Sequence, residues 1–240
     1  MHETDDRLPR AINTVVIYSD LHCSFAHLAI HQMLRVRTAL GLDGRIWFDH
    51  RVFPLELHNH RVNSLRGVNS EAAVVGALDP DAGWQLWQAP DWEYPVSVLL
   101  PMEAVQAAKQ QSWAAGEELD RGLRTAFWKS SRCISMRHVI DDIAAACPSI
   151  DHNRLFNDLD RGTWRHLLFE QFAQTLGGLV NCSPHVFLWD GTDAANPGVT
   201  SRWINGRFGV GYPVIEEYDR AVYQRLLTRA ADLAGISVSG

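Results

Sequence analysis

Along Asn13-Thr14-Val15-Val16-Ile17-Tyr18-Ser19-Asp20-Leu21-His22-Cys23-Ser24-Phe25-Ala26-His27-Leu28 the apolar period changes. Asn13 to Ser19 is a short β-branched run that suits a strand buried on both faces, with Val15 to Ser19 as its core. Asp20-Leu21-His22 breaks it. From Cys23, the residues Phe25, Leu28, Ala29, Met33, Leu34 and Val36 recur at helical spacing as far as Leu40, and Gly41 supplies a stop. Arg45 to Phe53, with Ile46, Phe48 and Val52 apolar, reads as a second strand that Pro54 ends. Together these form a strand, helix, strand unit.

Beyond it the character becomes helical. Pro101 to Ala115, Gly116 to Lys129, Ser135 to Ala146, Asp151 to Asp160 and Thr163 to Leu176 each carry periodic apolar positions. Ser135 and Asp151 are expected N-caps, and Pro101 suits a first helical turn. Asp79 to Pro95, with Trp84, Trp87 and Trp92 among Pro and Gly, reads as an ordered loop. Strand character returns at His185-Val186-Phe187-Leu188-Trp189, followed by a turn at Asp190-Gly191, and a last helix is expected from Val214 to Leu233. This pattern predicts an α/β fold in which residues 1–62 and 177–240 form one discontinuous domain and residues 63–176 an all-helical insertion.

The chain has 240 residues, 46% of them hydrophobic and 21% charged, which is enough for one large core. Its net charge of -6 and the absence of a basic stripe argue against a nucleic-acid partner. The first ten residues hold no apolar stretch and no later run approaches roughly twenty apolar residues, so no membrane partner and a cytoplasmic location are expected. Four cysteines, Cys23, Cys133, Cys147 and Cys182, without a CxxC pair, read as free thiols.

Cys23 stands where a buried strand hands over to a helix, against unpaired N–H groups and the positive end of the helix dipole. Such a position favours the thiolate and makes the sulfur nucleophilic at neutral pH. The competing reading is a small buried residue. His27 and His31, one helical turn apart, have a metal-binding spacing, but a packed aromatic position and a solvent-facing residue account for them, so no metal is expected. His22 is placed to stabilise a neighbouring thiolate if protonated, against the tendency of adjacent side chains to point apart. Trp84, Trp87, Trp92, Trp113 and Trp128 are candidates for an apolar pocket or for core. Arg132, Arg202 and Arg207 are candidate carboxylate anchors.

The segment Val15-Val16-Ile17-Tyr18-Ser19-Asp20-Leu21-His22-Cys23-Ser24-Phe25-Ala26-His27-Leu28 resembles the strand, Asp and Cys-Pro-Trp-Cys-Tyr-Leu motif of the DsbA-like thioredoxin-fold proteins. That group includes FrnE-type oxidoreductases, 2-hydroxychromene-2-carboxylate isomerases and kappa-class glutathione transferases. Asn181-Cys182-Ser183-Pro184-His185-Val186-Phe187 resembles the segment in which a cis-proline faces the active cysteine. Pro101 to Val105, Leu123 to Trp128 and Ile134-Ser135 resemble the FrnE-type helical insertion. The resemblance implies a thioredoxin-like fold, Cys23 and Pro184 as catalytic residues, and His22, Ser24, Phe25 and Ser183 around the substrate.

Ala26 stands where the resolving cysteine would be, and Ser24-Phe25 where Pro-Trp would be. A disulfide within the motif cannot form, which leaves a CxxA-type monothiol whose adducts another thiol must resolve. Cys182 is the candidate for such a thiol within the chain. The leading expectation is thus a single-cysteine thiol oxidoreductase acting on a disulfide or electrophile. No tightly bound cofactor is expected, with glutathione or another low-molecular-weight thiol, or a protein disulfide, as the reaction partner. A glutathione-dependent isomerase or transferase, and a binding protein that has lost redox function, are the alternatives.

Overall fold

The computed structural model describes residues 11–206 and 211–238. Its centre is β1 (Thr14–Ser19), which pairs parallel with β2 (Trp47–Val52) and antiparallel with β3 (His185–Phe187). β3 pairs in turn with β4 (Asp193–Ala195), giving the order β2-β1-β3-β4. Every residue of β1 is buried because both faces are covered. Val15 and Ile17 pack with Met33 of α1 (Ser24–Ala39) and Leu227 of α9 (Ala221–Leu233), whereas Val16 and Tyr18 meet Phe53, Val180 and Phe187 on the other face. A strand enclosed in this way needs no polar alternation, which is why β1 was readable as an unbroken apolar run. Gly41, at φ 65°, takes the left-handed position that closes α1.

Between β2 and β3 run α2 (Leu55–His58), α3 (Leu65–Val75), α4 (Leu99–Lys109), α5 (Trp113–Trp128), α6 (Arg137–Ala145), α7 (His152–Arg161) and α8 (Arg165–Thr175). They enclose a second core around Met102, Leu119, Leu123, Phe127, Ile140 and Leu155, which Leu21 and Val52 join from the sheet side. Asp151 caps α7 by accepting a bond from the Arg154 N–H at 3.0 Å. Residues 79–95 form an ordered loop with two short 3-10 turns.

Four expectations change. The break expected between Ala115 and Gly116 falls at Gln110 to Ser112, where the Ser112 hydroxyl caps α5 by accepting from the Ala115 N–H. Ser135 does not cap α6, whose N-cap is Met136. Its hydroxyl donates to the Ser97 carbonyl and so ties the two segments that lead into α4 and α6. The strand expected at His185 to Trp189 ends at Phe187, because the Leu188 N–H turns to Thr192 across the Asp190-Gly191 turn. The helix expected from Val214 is preceded by a strand, β6 (Pro213–Tyr218), which pairs with β5 (Val199–Trp203) as a separate hairpin, and α9 begins only at Ala221. The apolar positions Val214, Ile215 and Tyr218 fit either period, and the partner strand decided between them.

Candidate active site

β1 delivers the chain to a tight turn at Asp20 to His22 that aims Cys23 at the head of α1. Cys23 is the N-cap residue, in an extended conformation (φ -90°, ψ 117°). Its Sγ donates to the Ser183 carbonyl at 3.0 Å, and the Asp20 N–H donates to the Ser183 hydroxyl at 2.9 Å. These two bonds set the segment before β3, whose Ser183-Pro184 bond is cis, against the cysteine turn. Asp20 fixes that turn from below, its carboxyl oxygens accepting from the His22 N–H at 2.6 Å and the Leu55 N–H at 2.8 Å.

A cleft of about 440 Å³ opens over the thiol. Cys23, Phe25, Ser183 and Cys182 line it, together with Phe53, Leu55, His58 and Asn59 after β2, and Asn63, Glu71 and Asn181. The remaining candidates lie elsewhere. Ser24 is fully buried beneath the cleft and donates its hydroxyl to Glu71 Oε2 at 2.8 Å. Pro184 follows the cleft wall, and its carbonyl accepts from Cys182 Sγ at 3.3 Å. His22 points away from the substrate position expected for it. Its ring stacks on Phe127 at 4.3 Å between centroids, and burial pushes its pKa down to about 3, so it is neutral and offers the thiol no charge. All four cysteines are free, Cys133 lying before α6 and Cys147 just after it.

The activated thiolate expected at a helix N-terminus is also corrected. Cys23 is only 6% exposed, and burial, followed by the nearby Glu71 carboxyl, pushes its pKa up to about 12. The helix dipole is present, but desolvation outweighs it. Among the described residues no Lys or Arg lines the cleft. Arg132 pairs with Asp142 and Arg202 with Glu216, while Arg207 lies outside the described residues.

The tryptophans do not line the cleft either. Trp84 and Trp128 enclose His27, Trp87 packs on Phe127 and Tyr94, and Trp92 is 84% exposed. His27 bonds the Ala82 carbonyl and His31 the Asp79 carboxylate, so the two rings converge on nothing shared. Among the described residues no His, Cys, Asp and Glu cluster could hold a metal, and no helix is long and apolar enough to cross a membrane.

Sequence reasoning missed Glu71, which α3 brings to the cleft. A signal was present: Ser64 caps α3 by accepting from the Gly67 N–H at 3.2 Å, and Val68, Ala72 and Val75 follow at helical spacing.

Two buried carboxyls at this site set a pH dependence. Burial raises Asp20 from 3.8 to about 7 and Glu71 from 4.5 to about 8. The folded state therefore keeps protons that the unfolded chain releases near pH 4, and stability falls as pH rises towards about 8. His22 and His27, pushed down to about 3, act in the opposite sense, but only below their ordinary 6.5. The urea midpoint should accordingly decline between about pH 6.5 and about pH 8, and a rising midpoint there would contradict the buried-acid assignment.

The β-α-β unit, the antiparallel β3-β4 pair with its closing helix, and a cis-proline segment against a cysteine at a helix head define a thioredoxin-like fold. The helices between β2 and β3 give it the DsbA-like form. No protein-family model matches the chain, and no curated protein sequence matches it. Solved structures do. A probable DsbA oxidoreductase from Streptomyces coelicolor superposes with a TM-score of 0.65 at 13% identity, over 91% of this chain and 90% of its own. Cytosolic disulfide reductase DsbM from Pseudomonas aeruginosa gives 0.54 at 12% identity, over 92% and 99%. The same reductase with GSH gives 0.52 at 14%, over 92% and 96%.

Proposed function

We propose that the protein is a thiol-disulfide oxidoreductase that works through Cys23 alone. The observation that carries this reading is a single thiol at the head of α1, opening on a cleft whose far side is Asn181 to Ser183, just before cis-Pro184, with Ala26 one turn on where a second thiol would sit. In the reaction, Cys23 Sγ attacks one sulfur of a disulfide RSSR. The Cys23–S bond forms, the S–S bond breaks, and RS⁻ leaves and is protonated. A second, low-molecular-weight thiol then attacks the mixed disulfide and regenerates Cys23. Phe25 and Ser183 bound the substrate, and Pro184 sets the path of the cleft wall. The cytosolic disulfide reductase among the structural neighbours supports a cytoplasmic role, and the helical segment supports a FrnE-type relationship.

Glutathione is a candidate for the second thiol, because one structural neighbour was solved with GSH. A glutathione-dependent isomerase or transferase would use the same cleft.

The test is incubation with hydroxyethyl disulfide and with oxidised glutathione, followed by peptide mapping. A single adduct on Cys23 that dithiothreitol removes is the expected result. Adducts confined to Cys182, Cys133 or Cys147 would overturn the assignment, and a wholly unreactive chain would support a binding protein instead.

A further inference from the structure

We propose that Glu71 is the base that takes the Cys23 proton and returns it to the leaving sulfur, an inference that rests on the thiol reaction proposed above. The two groups line the same cleft from different elements, Cys23 from the head of α1 and Glu71 from α3. Glu71 is 6% exposed and is held in place by Ser24, the first residue of α1, whose hydroxyl donates to Oε2 at 2.8 Å. Ser24 thus acts as a positioning residue. Its backbone N–H also favours the Glu71 carboxylate, so this side chain occupies the positive end of α1 that a thiolate would otherwise use.

The need for a base follows from what surrounds the sulfur. The titratable groups around this corner are Asp20 at the end of β1, Tyr94 in the loop before α4, His58 at the end of α2 and the Cys182 thiol before β3, besides Glu71 itself. Asp20 and Glu71 both disfavour a second negative charge, and no Lys or Arg lines the cleft among the described residues. With its pKa raised to about 12, the buried thiol alone would hold a thiolate in only about one molecule in 10⁴ near pH 8. Passing the proton to a carboxylate as the sulfur bonds avoids building that unpaired charge.

Glu71, raised to about 8, is near the value a base needs at neutral to mildly alkaline pH. The steps balance. The Cys23 S–H turns from the Ser183 carbonyl, to which it donates at rest, towards Glu71; the S–H bond breaks, the proton moves to a Glu71 oxygen, the sulfur lone pair forms the new S–S bond, and the protonated Glu71 then supplies RS⁻ with its proton.

The test follows alkylation of Cys23 by iodoacetamide, which needs no disulfide chemistry, by peptide mass across about pH 6 to 10 in wild type, Glu71→Gln and Glu71→Asp. Wild type should gain rate through an inflection near pH 8. Glu71→Gln should be slower there by on the order of 100-fold and lose the inflection, and Glu71→Asp should recover part of both. A Glu71→Gln rate unchanged or raised would overturn the inference, because a carboxylate that merely repels the thiolate speeds the reaction when it is removed. A wild-type Cys23 inert at every pH would also overturn it. Melting curves of both variants check that they fold, and the Asp variant carries the test if the Gln variant does not. A Cys23 that alkylates with this Glu71 dependence yet takes up no disulfide would leave the inference standing and sink only the oxidoreductase reading.

Discussion

Replacing Cys23 by Ser is expected to abolish mixed-disulfide formation, a loss of at least about 1,000-fold, while leaving the fold intact. Oxygen cannot form the S–S bond, and a serine hydroxyl is far less acidic than a thiol, so no residual nucleophile remains at the head of α1. The structural side is neutral by contrast. Cys23 makes no side-chain capping bond, and its extended N-cap conformation is one that serine favours. The serine hydroxyl can also donate to the Ser183 carbonyl that now accepts from Sγ. A stability change within about 1 kcal/mol should follow. Intact mass after incubation with hydroxyethyl disulfide, together with a thermal melt, reads both effects. Undiminished labelling of the variant would move the chemistry to another of the free thiols, which peptide mapping identifies; Cys182 shares the cleft.

Arg124→Ala should destabilise the protein by about 3–5 kcal/mol, the largest effect on folding expected from one substitution outside the apolar cores. Arg124 is 2% exposed and its guanidinium grips Asp120 with two bonds, at 2.7 and 3.1 Å. It also donates to the Asp20 carbonyl at 3.0 Å and the Ser19 hydroxyl at 2.8 Å. α5 is thereby fastened to the end of β1, beside the cysteine turn, and Trp128 adds a bond to the Leu21 carbonyl at 3.0 Å. Truncation leaves the buried Asp120 carboxylate with only the His50 ring, at 3.7 Å and held neutral by burial, and an uncompensated buried charge costs far more than the pair contributes. Arg124→Lys keeps the charge but lacks the planar fork, and should recover only part of the loss. Urea denaturation measures it, and a change below about 1 kcal/mol would show that water reaches Asp120.

The parts that were legible in the sequence are those whose environment is uniform along the segment. β1 is covered on both faces and α1 on most of its circumference, so their apolar periods were complete and pointed to one structure each. β6 was not legible, because Val214, Ile215 and Tyr218 satisfy two periods and only pairing with β5 selects one. The shortening of β3 at Phe187 depends likewise on the turn that redirects Leu188.

At the site, the sequence by itself determined that Cys23 opens the first helix, that Ala26 leaves no second thiol in the motif, and that Ser183-Pro184 leads into a returning strand. These are statements about order along the chain. Only the tertiary structure decided that His22 faces Phe127 and that the tryptophans stay out of the cleft. It also placed Glu71, distant in sequence from Cys23, at the same helix end. The physical reason is that a thiol's acidity depends on burial and on the charges around it. Neither is fixed by neighbours in sequence, so a helix N-terminus that favours a thiolate when exposed holds a protonated thiol once the fold closes over it.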